Sequence, residues 1–132
     1  MSSLVQREMI LNGAPQTVGA SVTNTVISNV WEVDEYMAKN VSIQITTTSQ
    51  TVTTAITVKL QHSYDGTNFT DVGSPCQVSI TGSAGRFFID AIEGVSADAA
   101  VMPIRPKARL VVTTGSSDSV VFSSLIVVAK LD

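Results

Sequence analysis

His62 is the sole histidine of this chain and Cys76 the sole cysteine, so any site built on either must recruit its partners from eleven carboxylates. A zinc site on His62 and Cys76 would need those carboxylates at spacings that match no known ligand grammar. His62 alternates with Leu60 and Tyr64, which sets it on the inward face near a strand end, where a histidine satisfied by the fold is the ordinary outcome. Cys76 follows Pro75 and alternates with Val78 and Ile80, the pattern of a small buried hydrophobe. A Cys–His nucleophile pair requires the two to meet in space, and we do not expect it. Most carboxylates sit at turns, namely Asp34, Glu35, Asp65, Asp71, Asp90, Glu93, Asp98 and Asp118, and turn chemistry accounts for them. Asp65, Asn68 and Asp71 offer oxygen ligands to Ca²⁺, yet their spacing and glycine placement do not match a twelve-residue calcium loop. No glycine-rich phosphate loop precedes a helix. The triplets Asn40-Val-Ser42 and Asn68-Phe-Thr70 read as chance glycosylation matches. These observations imply no cofactor, no metal and no catalytic constellation.

The basic residues are more suggestive. Arg105, Lys107 and Arg109 fall at successive odd positions of a predicted strand, so one face carries three positive charges on a chain whose net charge is −3. That face must be outside. One function for the charges is to guard an exposed strand against edge pairing. The other is a docking stripe, with arginine forks pairing to carboxylates of an acidic protein surface.

The elements that position these residues are strands. Ile56, Val58 and Leu60 alternate with Thr57, Lys59 and Gln61, and Asp65-Gly66 supplies a turn before Phe69 and Val72 resume the apolar pattern, which predicts a β-hairpin. Leu4 to Leu11 reads as an edge strand or arm, broken by Asn12-Gly13 and Pro15. Ile27, Trp31 and Val33 share a face, with Trp31 expected to anchor the core. A turn or single loop of helix is expected over 34–40 and a strand over 40–48. Thr46 to Thr54, rich in β-branched residues, reads as the link of a long hairpin. A second hairpin is expected about Gly82 to Gly85, a crossing loop or short helix over 93–102, and a final hairpin about 115–118 joining strands at 107–114 and 120–131. The last strand is almost continuously apolar, so it should be central or face a partner. About eight strands at regular spacing, with no long helical period, predict an all-β antiparallel sandwich.

Composition agrees with that architecture. The 132 residues make one domain, with 1–15 as its possible arm or edge strand. Hydrophobic residues are 44%, aromatics 5% and charged residues 14%, against a usual charged fraction of about 25%. Hydroxyls rather than ions wet such a surface, as suits a domain that packs into an assembly. The acidic balance argues against nucleic acid and anionic lipid as partners. No signal peptide or membrane-spanning run is recognisable at the start of the chain. A lone cysteine fits folding in a reducing cytoplasm without a disulfide framework.

The phrase Lys59-Leu-Gln-His-Ser-Tyr-Asp-Gly-Thr-Asn-Phe-Thr-Asp-Val72, followed by Ile104-Arg-Pro-Lys-Ala-Arg-Leu-Val-Val-Thr-Thr114 and a last apolar strand, resembles small β-sandwich virion proteins of tailed bacteriophages. The resemblance spans roughly residues 40 to 130. It implies a jelly-roll-like, non-enzymatic structural protein of the virion, made in the host cytoplasm. Its expected role is capsid decoration, binding the major capsid protein and itself, commonly as a trimer, with no catalytic residues to carry over. Asp-Gly-Thr-Asn turns also occur in carbohydrate-binding and adhesion modules of similar fold, which is the alternative function. A sugar platform exposes several aromatics, whereas this chain has one Trp and two Tyr.

Overall fold

The computed structural model describes residues 4–11, 15–33, 40–73, 76–92 and 104–130. The expectations for 34–40, except at Asn40 itself, and for 93–102, and part of the break after Leu11, fall on residues outside that set. The strands are β1 (Leu4–Met9), β2 (Gln16–Val18), β3 (Thr25–Val26), β4 (Trp31–Glu32), β5 (Asn40–Thr51), β6 (Ile56–Ser63), β7 (Thr70–Asp71), β8 (Gln77–Ile80), β9 (Arg86–Ile92), β10 (Lys107–Thr114) and β11 (Ser119–Lys130). All pair antiparallel in two sheets.

Several short strands are halves of one longer position. β1 and β2 follow one another along β11, β3 and β4 along β10, and β7 and β8 along β6. The eleven segments therefore fill eight strand positions, four in each sheet. In the first sheet the order is β1/β2, β11, β5, β9; in the second it is β3/β4, β10, β6, β7/β8. The chain changes sheet at every connection between positions except the β6–β7 turn, which is the interleaved winding of a double-sheet jelly roll.

That winding corrects three expectations. The links at 52–55, 81–85 and 115–118 are not hairpins, because β5, β9 and β11 lie in one sheet while β6, β8 and β10 lie in the other. Alternation tells which side chains of a strand are buried, but an arch between facing sheets preserves the alternation as well as a hairpin does. The Asp65-Gly66 hairpin is as expected, with Gln61 opposite Asp71 and His62 opposite Thr70. β11 is central, with Val120, Phe122, Leu125 and Val127 buried inward and Val121, Ile126 and Val128 half-buried outward.

The core lies between the sheets. Ile43, Ile45, Ile56, Leu60, Leu110, Phe122 and Leu125 are fully buried in it, and Trp31 joins them at 4% exposure. The arches at 52–55, 81–85 and 115–118 and the 19–24 connection gather at one end of the sandwich. Register places them there, since Thr51 faces Ser119, Ile56 faces both Thr114 and Ile80, and Thr46 faces Arg86.

Asp118 closes that end. Asp118 is 1% exposed, and its carboxylate accepts from the backbone N–H of Thr53 (2.6 Å), Thr54 (3.0 Å), Ala55 (3.0 Å) and Gly115 (2.7 Å), and from the Thr53 hydroxyl (3.1 Å). The N–H of Thr54 leads the contributions of Thr53, Gly115 and Ala55 in holding this acid far below the usual carboxylate range, against an opposing desolvation effect. Thr114 Oγ1 donates to the carbonyl of Gly19 at 2.7 Å and accepts from Val22 N at 3.2 Å. Gln50 Nε2 reaches the carbonyls of Thr81, Gly82 and Ser83 at 2.8–3.1 Å, while Thr47 Oγ1 donates to Gln50 Oε1 at 2.9 Å. Backbone groups in each arch thus find side-chain partners that no sheet ladder could give them.

Candidate functional site on the outer face of the second sheet

β10 lies inside the second sheet, flanked by β3/β4 on one side and β6 on the other. The edge-guarding role for Arg105, Lys107 and Arg109 is therefore overturned: a strand paired on both sides has no edge to protect. The three cations do share the outward face. Arg105 sits just before the strand, and Lys107 and Arg109 alternate with the buried Ala108 and Leu110.

Each cation has a different environment. Lys107 Nζ forms an ion pair with Glu32 Oε1 on the neighbouring β4, and its stem passes beneath the β6–β7 turn, where a Cβ on Gly66 would stand 3.1 Å from Lys107 Cδ. Arg109 Nε donates to Gln61 Oε1 at 3.0 Å, and its guanidinium lies 4.0 Å from the centroid of the Phe69 ring. Arg105 lies 4.8 Å from the Tyr64 centroid, and its Nη1 reaches Thr70 Oγ1 at 3.4 Å. Lys59 pairs with Asp71 at 3.4 Å, and Asp71 also accepts from Gln61 Nε2 at 2.9 Å. Partial burial pulls the Arg109 guanidinium below its ordinary pKa. Val111, the next outward position, is fully buried.

The turn that carries the two rings is built by Asp65. Oδ1 accepts from the N–H of Thr67 (2.8 Å) and Asn68 (2.9 Å) and from the Ser63 hydroxyl (2.8 Å), while Oδ2 accepts from Asn68 Nδ2 (2.8 Å). Ser63 Oγ in turn accepts from the N–H of Asp65 and Gly66. The N–H groups of Asn68 and then Thr67 hold the Asp65 acid far below the usual range. Gly66 adopts φ +80°, a left-handed conformation that glycine takes without the Cβ penalty. Tyr64 is left 73% exposed.

The other candidates for chemistry are engaged in the fold. His62 is 7% exposed and its Nδ1 accepts from Arg105 N at 3.2 Å; burial and then the Arg105 charge lower its pKa, so it stands neutral at pH 7. Cys76 is fully buried and its thiol is pushed up to about 11 by desolvation, which keeps it protonated and unreactive. Among the described residues, no group of three or more His, Cys, Asp and Glu converges as a metal site would require.

Sequence spacing located the cations but not the rings. Tyr64 and Phe69 belong to the turn phrase, and only the pairing of Arg109 with Gln61 and of Lys107 with Ser63 brings that turn beside Arg105 and Arg109. The two phrases that carry the bacteriophage resemblance are thus neighbours on one surface.

No family model matches the chain, and neither does any curated protein. Among solved structures the chain is similar to one from "Bacillus endospore appendages form a novel family of disulfide-linked pili", at 13% identity over 100% of this chain and 92% of that one, with a TM-score of 0.47. A likeness that distant assigns nothing to this chain.

Proposed function

We propose that the chain is a non-enzymatic virion structural protein, a capsid decoration protein that binds the outer shell and stabilises it by contact. The observation that carries this reading is the use of its reactive side chains: Asp65, Asp118, His62 and Cys76 are all engaged in turns, arches or core. What remains outward is contact surface. Segments 59–72 and 104–114, which carry the resemblance to phage virion proteins, lie together in the second sheet and share its outer face through their alternate residues. Supporting self-association, the first sheet's outer face along β11 offers Val121, Ile126 and Val128 without a charge between them, and Phe88 on β9 is 50% exposed. A homo-oligomer, trimeric as the resemblance implies, made in the host cytoplasm and carried in the virion, completes the proposal.

Co-sedimentation with shells stripped of accessory proteins tests it. The protein should pellet with shells in saturable amount and raise the temperature at which they break. Failure to pellet at micromolar concentration, with the fold intact by circular dichroism, would overturn the decoration role. The exposed ring of Tyr64 favours the alternative, a carbohydrate-binding or adhesion module, but Trp31 is buried and so contributes nothing to a sugar platform. Binding to a glycan panel that Tyr64→Ala abolishes would favour that alternative.

A further inference from the structure

We propose that Arg105 and Arg109, each laid over an aromatic ring, form a two-pronged site for carboxylates on an acidic protein surface; this deepens the decoration reading and rests on it. Neither guanidinium meets a carboxylate among the described residues, whereas Lys107 and Lys59 each do. The structure thus divides a stripe of like charges into paired lysines and two arginines that meet no carboxylate among the described residues, on a chain of net charge −3.

Stacking matters because of what it leaves over. A ring takes the flat face of a guanidinium, while its N–H groups lie in the plane and point outward from the edge. Arg109 uses Nε on Gln61, and Arg105 uses one Nη on Thr70. The other in-plane donors can grip a carboxylate with two parallel hydrogen bonds. Ring and anchor hold each long side chain in place, so less rotamer entropy is lost on docking. The occupant is an acidic protein segment, because two fixed guanidinium forks on one face match carboxylates spaced along a chain.

The test uses a fluorescent ten-residue oligoglutamate peptide, an oligoglutamine peptide of equal length and an oligogalacturonate, with binding followed by anisotropy at low and high salt. The wild-type protein should bind oligoglutamate in a salt-sensitive manner and ignore oligoglutamine. Arg105→Gln with Arg109→Gln should weaken binding at least tenfold, and Lys107→Gln less than twofold. Arg105→Lys with Arg109→Lys, which keeps the charge but loses the forks, should recover less than a third of the affinity. Full recovery by the lysine variant, an equal loss from Lys107→Gln, or preference for oligogalacturonate would each overturn the site. Shell co-sedimentation separates this inference from the reading beneath it. Arginine-independent pelleting overturns the site alone, and absence of pelleting by the wild-type protein overturns the decoration role.

Discussion

Two aspartates hold the two ends of the sandwich by the same chemistry at opposite ranges. Among the described residues Asp65 accepts hydrogen bonds only from Ser63, Thr67 and Asn68, all within three residues, and it sits at the surface. Asp118 is buried and, besides Gly115, takes its donors from Thr53, Thr54 and Ala55, 63 to 65 residues away. Asp65 shapes one turn on one sheet. Asp118 joins two arches that tie both sheets, so its loss leaves part-buried N–H groups from distant segments without this partner at once. The difference teaches that the arch end carries the closure of the fold, and the turn end is free to carry surface chemistry.

The sharpest way to break the comparison is to truncate each aspartate. Asp118→Ala should give the largest drop in denaturation midpoint of any turn or arch change, while Asp65→Ala should lower the midpoint less and also weaken acidic-peptide binding by loosening the turn that holds Tyr64 and Phe69. Equal destabilisation in urea would remove the distinction. The core near the turn end should depend on packing: Trp31→Ala should cost about 3–5 kcal/mol through lost transfer energy and the cavity left behind. An unchanged midpoint would place Trp31 outside the core.

Glycines at the two ends sharpen the contrast. A Cβ on Gly115 would stand 2.6 Å from Thr54 Cβ and 2.7 Å from Asp118 Oδ2, inside the network itself. Gly115→Ala should therefore cost about 1–3 kcal/mol, as overpacking does. Gly66→Ala meets a left-handed φ of +80° and only the flexible stem of Lys107, and should cost about 1–2 kcal/mol. Chemical denaturation of both variants checks the order.

Acid should act in two stages. His62 has a folded pKa below its ordinary value, so the unfolded chain binds the proton more readily, and stability should begin to fall as pH drops below about 6.5. Asp65 and Asp118 have depressed folded pKa values. Their contribution is complete above about pH 4 and should be lost progressively as pH falls further toward those values. His62→Gln should flatten the first stage, and Asp118→Asn should reduce the second, in midpoints measured from pH 8 to pH 2.

Strands were legible in the sequence where one face is buried and the other is not. β6, with Ile56, Val58 and Leu60 inward, is the clearest case, and its Asp65-Gly66 turn was legible because the turn's hydrogen bonds are local. The arches at 52–55, 81–85 and 115–118 were misread as hairpins because length and composition do not say whether the next strand pairs with the last or faces it. Asp118 looked like an ordinary turn residue because three of its partner residues lie across the chain. Arg105, Lys107 and Arg109 were visible by spacing. Their division into paired lysine and ring-stacked arginines depends on Glu32, Tyr64 and Phe69, which only the sheet register brings alongside.

Native-state amide hydrogen exchange tests most directly whether the two ends divide the work of closure and display. The amides of Thr53, Thr54, Ala55 and Gly115, all bound to Asp118, should exchange only through global unfolding, with protection that tracks the stability measured in denaturant. Those of Thr67 and Asn68, bound to Asp65, should exchange orders of magnitude faster through local opening. Equal protection at both ends, or faster exchange at Thr53 to Ala55 than at Thr67 and Asn68, would contradict the account.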